Sequence, residues 1–122
     1  MEINKFKLKL SNLGNIQKII SKNSKQYRGF GELYISEIKP LRTKGWNLHK
    51  KMTLNIFVIK GRVQITEIYK NKIIKKIFSE NSNKIITIKP MRWIRLKNLL
   101  KSKSKIINFA NYLHDKKEII KK

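Results

Sequence analysis

Short β-type runs of about four to eight residues, cut by turn residues at near-regular spacing, occupy most of this chain and constrain its fold more than any other feature. Phe6, Leu8 and Leu10 alternate with Lys5, Lys7 and Lys9, and Val63 and Ile65 alternate with Gln64 and Thr66. That period of two belongs to a half-buried strand. Further runs cover Ile16–Ile20, Leu33–Ile38, Leu54–Lys60, Arg62–Tyr69, Ile73–Phe78, Lys84–Ile88, Trp93–Lys97 and Lys105–Ala110. Breakers such as Asn12–Gly14, Gly61, Lys70–Asn71, Asn81–Asn83 and Lys89-Pro90 separate them. This pattern predicts one all-β, antiparallel sandwich or barrel spanning residues 1–122. No sustained 3.6-residue period appears before the tail, where Lys116–Lys122 predicts a short helix or a frayed end.

The stretch Lys44–Gly61 reads as a pocket wall. A Gly-Trp turn and a histidine precede the run Leu54–Ile59, whose β-branched and aromatic content suits a strand buried on both faces. Glycines at 45 and 61 suit turns that need positive φ. His49 stands two residues after Asn47, so both side chains share one strand face.

With 122 residues the chain supports one hydrophobic core. It has no apolar run near the roughly 18 residues of a membrane span and no leader pattern at Met1–Leu10, which predicts a soluble, cytoplasmic protein. Absence of cysteine excludes thiolate catalysis and thiolate metal sites. The scattered glycines form no phosphate-binding loop motif.

Thirty Lys and Arg against seven Asp and Glu give a formal charge of +23. Three readings follow: a polyanion partner bound through counterion release, attraction to a small anionic ligand, or drift of surface composition. Twenty-five of the thirty are Lys, whereas base-edge and bidentate phosphate recognition favour Arg. Lys, Ile and Asn, all encoded by A/T-rich codons, make up 58 of 122 residues. Drift toward such codons would by itself produce much of this charge.

The order of the segments resembles the RmlC-like cupins, the double-stranded β-helix family of dTDP-4-dehydrorhamnose 3,5-epimerase and related sugar-nucleotide epimerases and ketoisomerases. Arg28-Gly29-Phe30-Gly31-Glu32-Leu33-Tyr34 resembles the family's RGF-x-E strand, and Lys44–Thr53 its RG-aromatic-H-x-H/Q segment. Val58–Val63 resembles the strand-turn-strand that follows, Ile88–Asn98 the IPPG-x-x-HGF-x-N hairpin, and Asn108–Asp115 the closing strand. The likeness spans about residues 28–118 and implies a cupin jelly roll.

The resemblance also implies a function: isomerisation or epimerisation of a dTDP-linked 4-keto-6-deoxy sugar for deoxysugar or surface-polysaccharide synthesis, with no metal, no cofactor and a homodimeric assembly. It places Arg28 and Lys44 at the diphosphate and Trp46, Asn47 and Trp93 against the substrate. The proton-abstracting histidine of the family falls at Asn47, and an amide cannot serve as base. His49 is then the best remaining base, with Tyr112, Tyr34 or Lys44 as proton donor and His114-Asp115 as a possible shuttle. Two alternatives stay open: an inactive cupin that binds a nucleotide sugar or a partner protein, and a basic β-barrel that binds nucleic acid.

Overall fold

The computed structural model describes Met1–Lys122 and contains twelve strands and no helix. They are β1 (Glu2–Lys5), β2 (Lys7–Lys9), β3 (Ile16–Lys18), β4 (Glu32–Ile38), β5 (Thr43–His49), β6 (Leu54–Lys60), β7 (Arg62–Tyr69), β8 (Lys72–Ser79), β9 (Lys84–Ile88), β10 (Trp93–Asn98), β11 (Ser104–Ala110) and β12 (Ile119–Lys121). One five-stranded sheet has the order β1-β9-β6-β11-β4 and a second the order β12-β5-β10-β7-β8, while β2 and β3 form a separate hairpin. Every pairing is antiparallel. This is the jelly roll the sequence implied. No helix is long and apolar enough to cross a membrane.

The alternating runs explain the sandwich. Leu54, Ile56 and Val58 of β6, Ile86 and Ile88 of β9 and Ile106 of β11 turn inward from the first sheet, and Val63, Ile65, Ile94 and Leu96 meet them from the second. β6 is buried on both faces along Leu54–Val58, because the N-terminal segment covers its outer side. There Phe6 meets Phe57 edge-on with ring centroids 5.0 Å apart. The chain switches sheets at nearly every connection from β4 onward, so the connections gather at two ends. Residues 50–53, 70–71, 89–92 and 111–118 form one end, the mouth; Gly61 and residues 39–42, 80–83 and 99–103 form the other.

Several expectations are corrected. Lys116–Lys122 is neither a helix nor frayed: β12 extends the second sheet, pairing Ile119 with His49 and Lys121 with Asn47. Gly45 is not a turn. It lies inside β5 at a register shift against β10, with φ 110°, and a Cβ there would come 2.6 Å from the Ile94 carbonyl oxygen. Gly61 is the expected turn, with φ 89°, and a Cβ on it would overlap Ser104 Oγ. Phe6–Leu10 is not one half-buried strand, since β1 ends at Lys5 and β2 is exposed throughout.

Candidate functional site at the mouth of the sandwich

The site begins with β5, whose alternation sends Asn47 and His49 to one face. Asn47 pairs with Ile94, a core residue, so that face looks into the sandwich. His49 ends the strand at the mouth. Its carbonyl oxygen accepts a hydrogen bond from Met91 N–H at 2.7 Å, fastening the β9–β10 connection to it. Its Nδ1 is buried with no partner in the protein. Burial lowers the imidazole's pKa below the ordinary 6.5; Glu118 opposes that shift and His114 adds to it. The ring is therefore neutral at neutral pH and available to accept a proton.

Glu118 also holds the backbone that follows His49. Its carboxylate accepts hydrogen bonds from Lys51 N–H and, at 2.7 Å, from Met52 N–H, and its carbonyl oxygen accepts one from Lys50 N–H at 3.0 Å. His114 N–H donates to Glu32 Oε1 at 3.0 Å. Both histidines thus reach one end of the molecule, 65 residues apart in sequence. Tyr34 pairs with Asn108 on the inner face of the first sheet, and burial, helped by Glu32, raises its phenol pKa. Its hydroxyl stays protonated and can donate.

Across Ile94 from Asn47 stands Glu67 of β7, only 3% exposed. One of its oxygens meets the Met1 α-ammonium and the other, Oε2, has no partner. Sequence reasoning passed over both Glu67 and Glu118. The signal for Glu67 was present, since it continues the inward alternation of Val63 and Ile65. Glu118 gave none, because its role depends on β12 docking beside β5.

The remaining expected site residues are dispersed. Trp46 and Trp93 lie on the outer face of the second sheet, opposite His49, which corrects the expectation that they line one pocket with it. Trp93 pairs with Leu48 and Ile68, and the Arg95 guanidinium covers Trp46 at 4.7 Å from the ring centroid. Lys44 is exposed on β5 opposite Leu96, and Tyr112 is 46% exposed beyond β11. Arg28 folds its guanidinium onto its own loop, donating to the Tyr27 carbonyl at 3.0 Å, while its carbonyl oxygen accepts from Asn111 Nδ2. No three His, Cys, Asp or Glu side chains converge as a metal-ligand set.

A family model described as "FdtA: WxcM-like, C-terminal" matches residues 1–122. A search of curated proteins gave no match. Among solved structures, a dTDP sugar isomerase from Desulfovibrio desulfuricans G20 superposes with a TM-score of 0.89 at 19% identity, covering 99% of this chain and 82% of that one. A mutant of the 3,4-ketoisomerase QdtA from Thermoanaerobacterium thermosaccharolyticum, in complex with TDP-4-keto-6-deoxyglucose, gives 0.85 at 18% identity, covering 98% and 85%. A dTDP-4-dehydrorhamnose 3,5-epimerase from Elizabethkingia anophelis NUHP1 gives 0.76 at 12%, covering 96% and 72%. At these identities the likeness is one of fold.

Proposed function

Because the chain belongs to the WxcM-like, C-terminal family over its whole length, we propose that it binds a dTDP-linked 4-keto-6-deoxy sugar at the His49 mouth and isomerises it through an enediol. The observation that carries this reading is the buried, unpartnered Nδ1 of a neutral His49. Such an atom is an acceptor that no protein donor occupies. In the proposed step His49 removes the hydrogen at C3 while the C4 carbonyl oxygen takes a proton from the donor, giving the enediol. A proton that has equilibrated with solvent on His49 is then delivered to C4 while the C3 hydroxyl returns a proton to the donor, leaving the ketone at C3. Atoms balance without an oxidant. Tyr34, protonated and facing inward, is the proposed donor to the developing enolate oxygen. Arg28, whose loop is joined to Asn111 at the mouth, is kept as a diphosphate contact, to which a cation is suited. Tyr112 is kept as an alternative proton donor, and Lys44, toward the opposite end of β5, is not carried forward.

Asn47 favours a second reading, binding without turnover. Proton transfer by a well-placed base contributes roughly a hundred- to ten-thousand-fold in rate, and the amide at 47 supplies none of it. Deuterium exchange separates the two readings. With TDP-4-keto-6-deoxyglucose in deuterated water, the enzyme reading expects exchange at C3 that His49→Ala abolishes, while dTDP affinity stays within about threefold. Binding with no exchange in the unmodified protein identifies the inactive binder. Exchange indifferent to His49→Ala places the chemistry elsewhere.

The outer face of the first sheet exposes Leu33, Ile35 and Phe30, at 57%, 59% and 62%. We infer that two copies pair through this face, since contiguous apolar surface of that kind marks an interface.

A further inference from the structure

A second ligand site lies away from the mouth, where the N-terminal hairpin meets the outer face of the first sheet. A cavity of about 380 Å³ there is lined by Lys5, Lys7 and Lys18, with Ser21, Asn23 and Ser24 on its rim and Phe6 and Ile85 in its floor. Lys7 stands directly opposite Lys18 in the β2–β3 pair, and Lys5 directly opposite Lys84 in the β1–β9 pair. Like charges in register across antiparallel strands are destabilising. In β2–β3 the cost falls on a hairpin of only three residue pairs, all exposed, which has little else to hold it.

Lysines elsewhere in the sheets are placed differently. On β8 the strand partners of Lys72, Lys75 and Lys76 are Tyr69, Thr66 and Ile65, all uncharged. The one other lysine pair in register, Lys60 with Lys105, has Glu37 Oε1 3.8 Å from Lys105 Nζ. No carboxylate lines the cavity, and none of the four lysines around it takes part in an ion pair. Three lining cations, with Lys84 beside Lys5, together with hydroxyl and amide donors over an apolar floor form a receptor for concentrated negative charge, and the low-dielectric floor strengthens each contact.

The geometry points to an oligophosphate site: a run of two or three linked phosphates sits among Lys5, Lys7 and Lys18, with the Ser21 and Ser24 hydroxyls as further donors. Its volume suits a small anion rather than a duplex. The site is independent of the His49 mouth, and either can fail without the other.

Inorganic tripolyphosphate is the probe, titrated calorimetrically into the full chain at about 0.15 M salt. One-to-one binding is expected, with backbone amide shifts confined to Lys5–Lys7 and Lys18–Ser24. Lys7→Ser/Lys18→Ser should weaken it by about tenfold or more. Lys75→Ser/Lys76→Ser, which removes the same charge from β8, should change it by less than about twofold. Because the first variant also relieves a repulsion, its melting temperature without ligand should equal or exceed that of the unmodified protein, so that lost binding is not lost folding. Absence of binding, equal losses in the two variants, shifts at His49–Met52, or tighter binding of random duplex DNA with equal losses would each overturn the assignment.

Discussion

His49 carries a burial cost that its neighbours do not cancel, and this fixes how the protein responds to acid. Its folded pKa lies below the ordinary 6.5, so the unfolded chain takes up the proton first as pH falls. Stability is then fully present above about pH 6.5 and is lost as pH falls through the folded value. The melting temperature should decline more steeply below pH 6.5 in the natural protein than in His49→Phe, with Glu118 and His114 left in place in both. A parallel decline would mean that the carboxylates set the acid limit. Asn47→His makes the complementary test. If the mouth retains the geometry of a sugar-nucleotide isomerase, restoring an imidazole there should raise C3 exchange by roughly a hundred-fold or more; an unchanged rate would show that position 47 does not face the substrate. At this scale the sequence was legible only in part. With two histidines in the chain, His49 was easy to single out. Trp46 was misplaced beside it although strand alternation already sets residue 46 opposite residues 47 and 49, and Glu118 was hidden because its partners lie 66 and 67 residues away.

Among the elements, those that carry their own pattern were legible to the residue: β6, β7 and β9 begin and end where the alternation and turn residues say. β12 was not, since Ile119–Lys121 has too few apolar residues to form a strand unaided and is one only because β5 offers it an edge. Nor was the strand character of Thr43–Gly45. A Gly in that run looked like a turn, and the bulge that accommodates it is created by β10. The Gly61 turn illustrates how one element locks another. Ser104 Oγ accepts a hydrogen bond from Arg62 N–H at 3.2 Å and donates to Asn98 Oδ1 at 2.8 Å, while Asn98, wholly buried, donates to the Ile38 carbonyl at 3.0 Å. Gly61→Ala must strain a positive φ and push Ser104 out of this network. A destabilisation of about 1–3 kcal/mol is expected from chemical denaturation, with the His49 end unaffected. A loss under about 0.5 kcal/mol would show that the turn relaxes freely.

Taken whole, the molecule has a mouth carrying both histidines, an apolar outer face and a strongly basic surface, and these three properties answer to different measurements. If the exposed face of the first sheet joins two copies, sedimentation should give a dimer that Leu33→Lys/Ile35→Lys converts to a monomer with its fold intact; a monomer before mutation removes the pairing. What most needs testing is the proposal that the jelly roll receives a dTDP ligand at His49. A crystal structure with dTDP bound tests it directly. The diphosphate is expected at the mouth formed by residues 50–53, 89–92 and 111–118, within reach of the His49 ring. A nucleotide bound on the Trp46 and Trp93 face, or bound elsewhere with the His49 mouth empty, would contradict it.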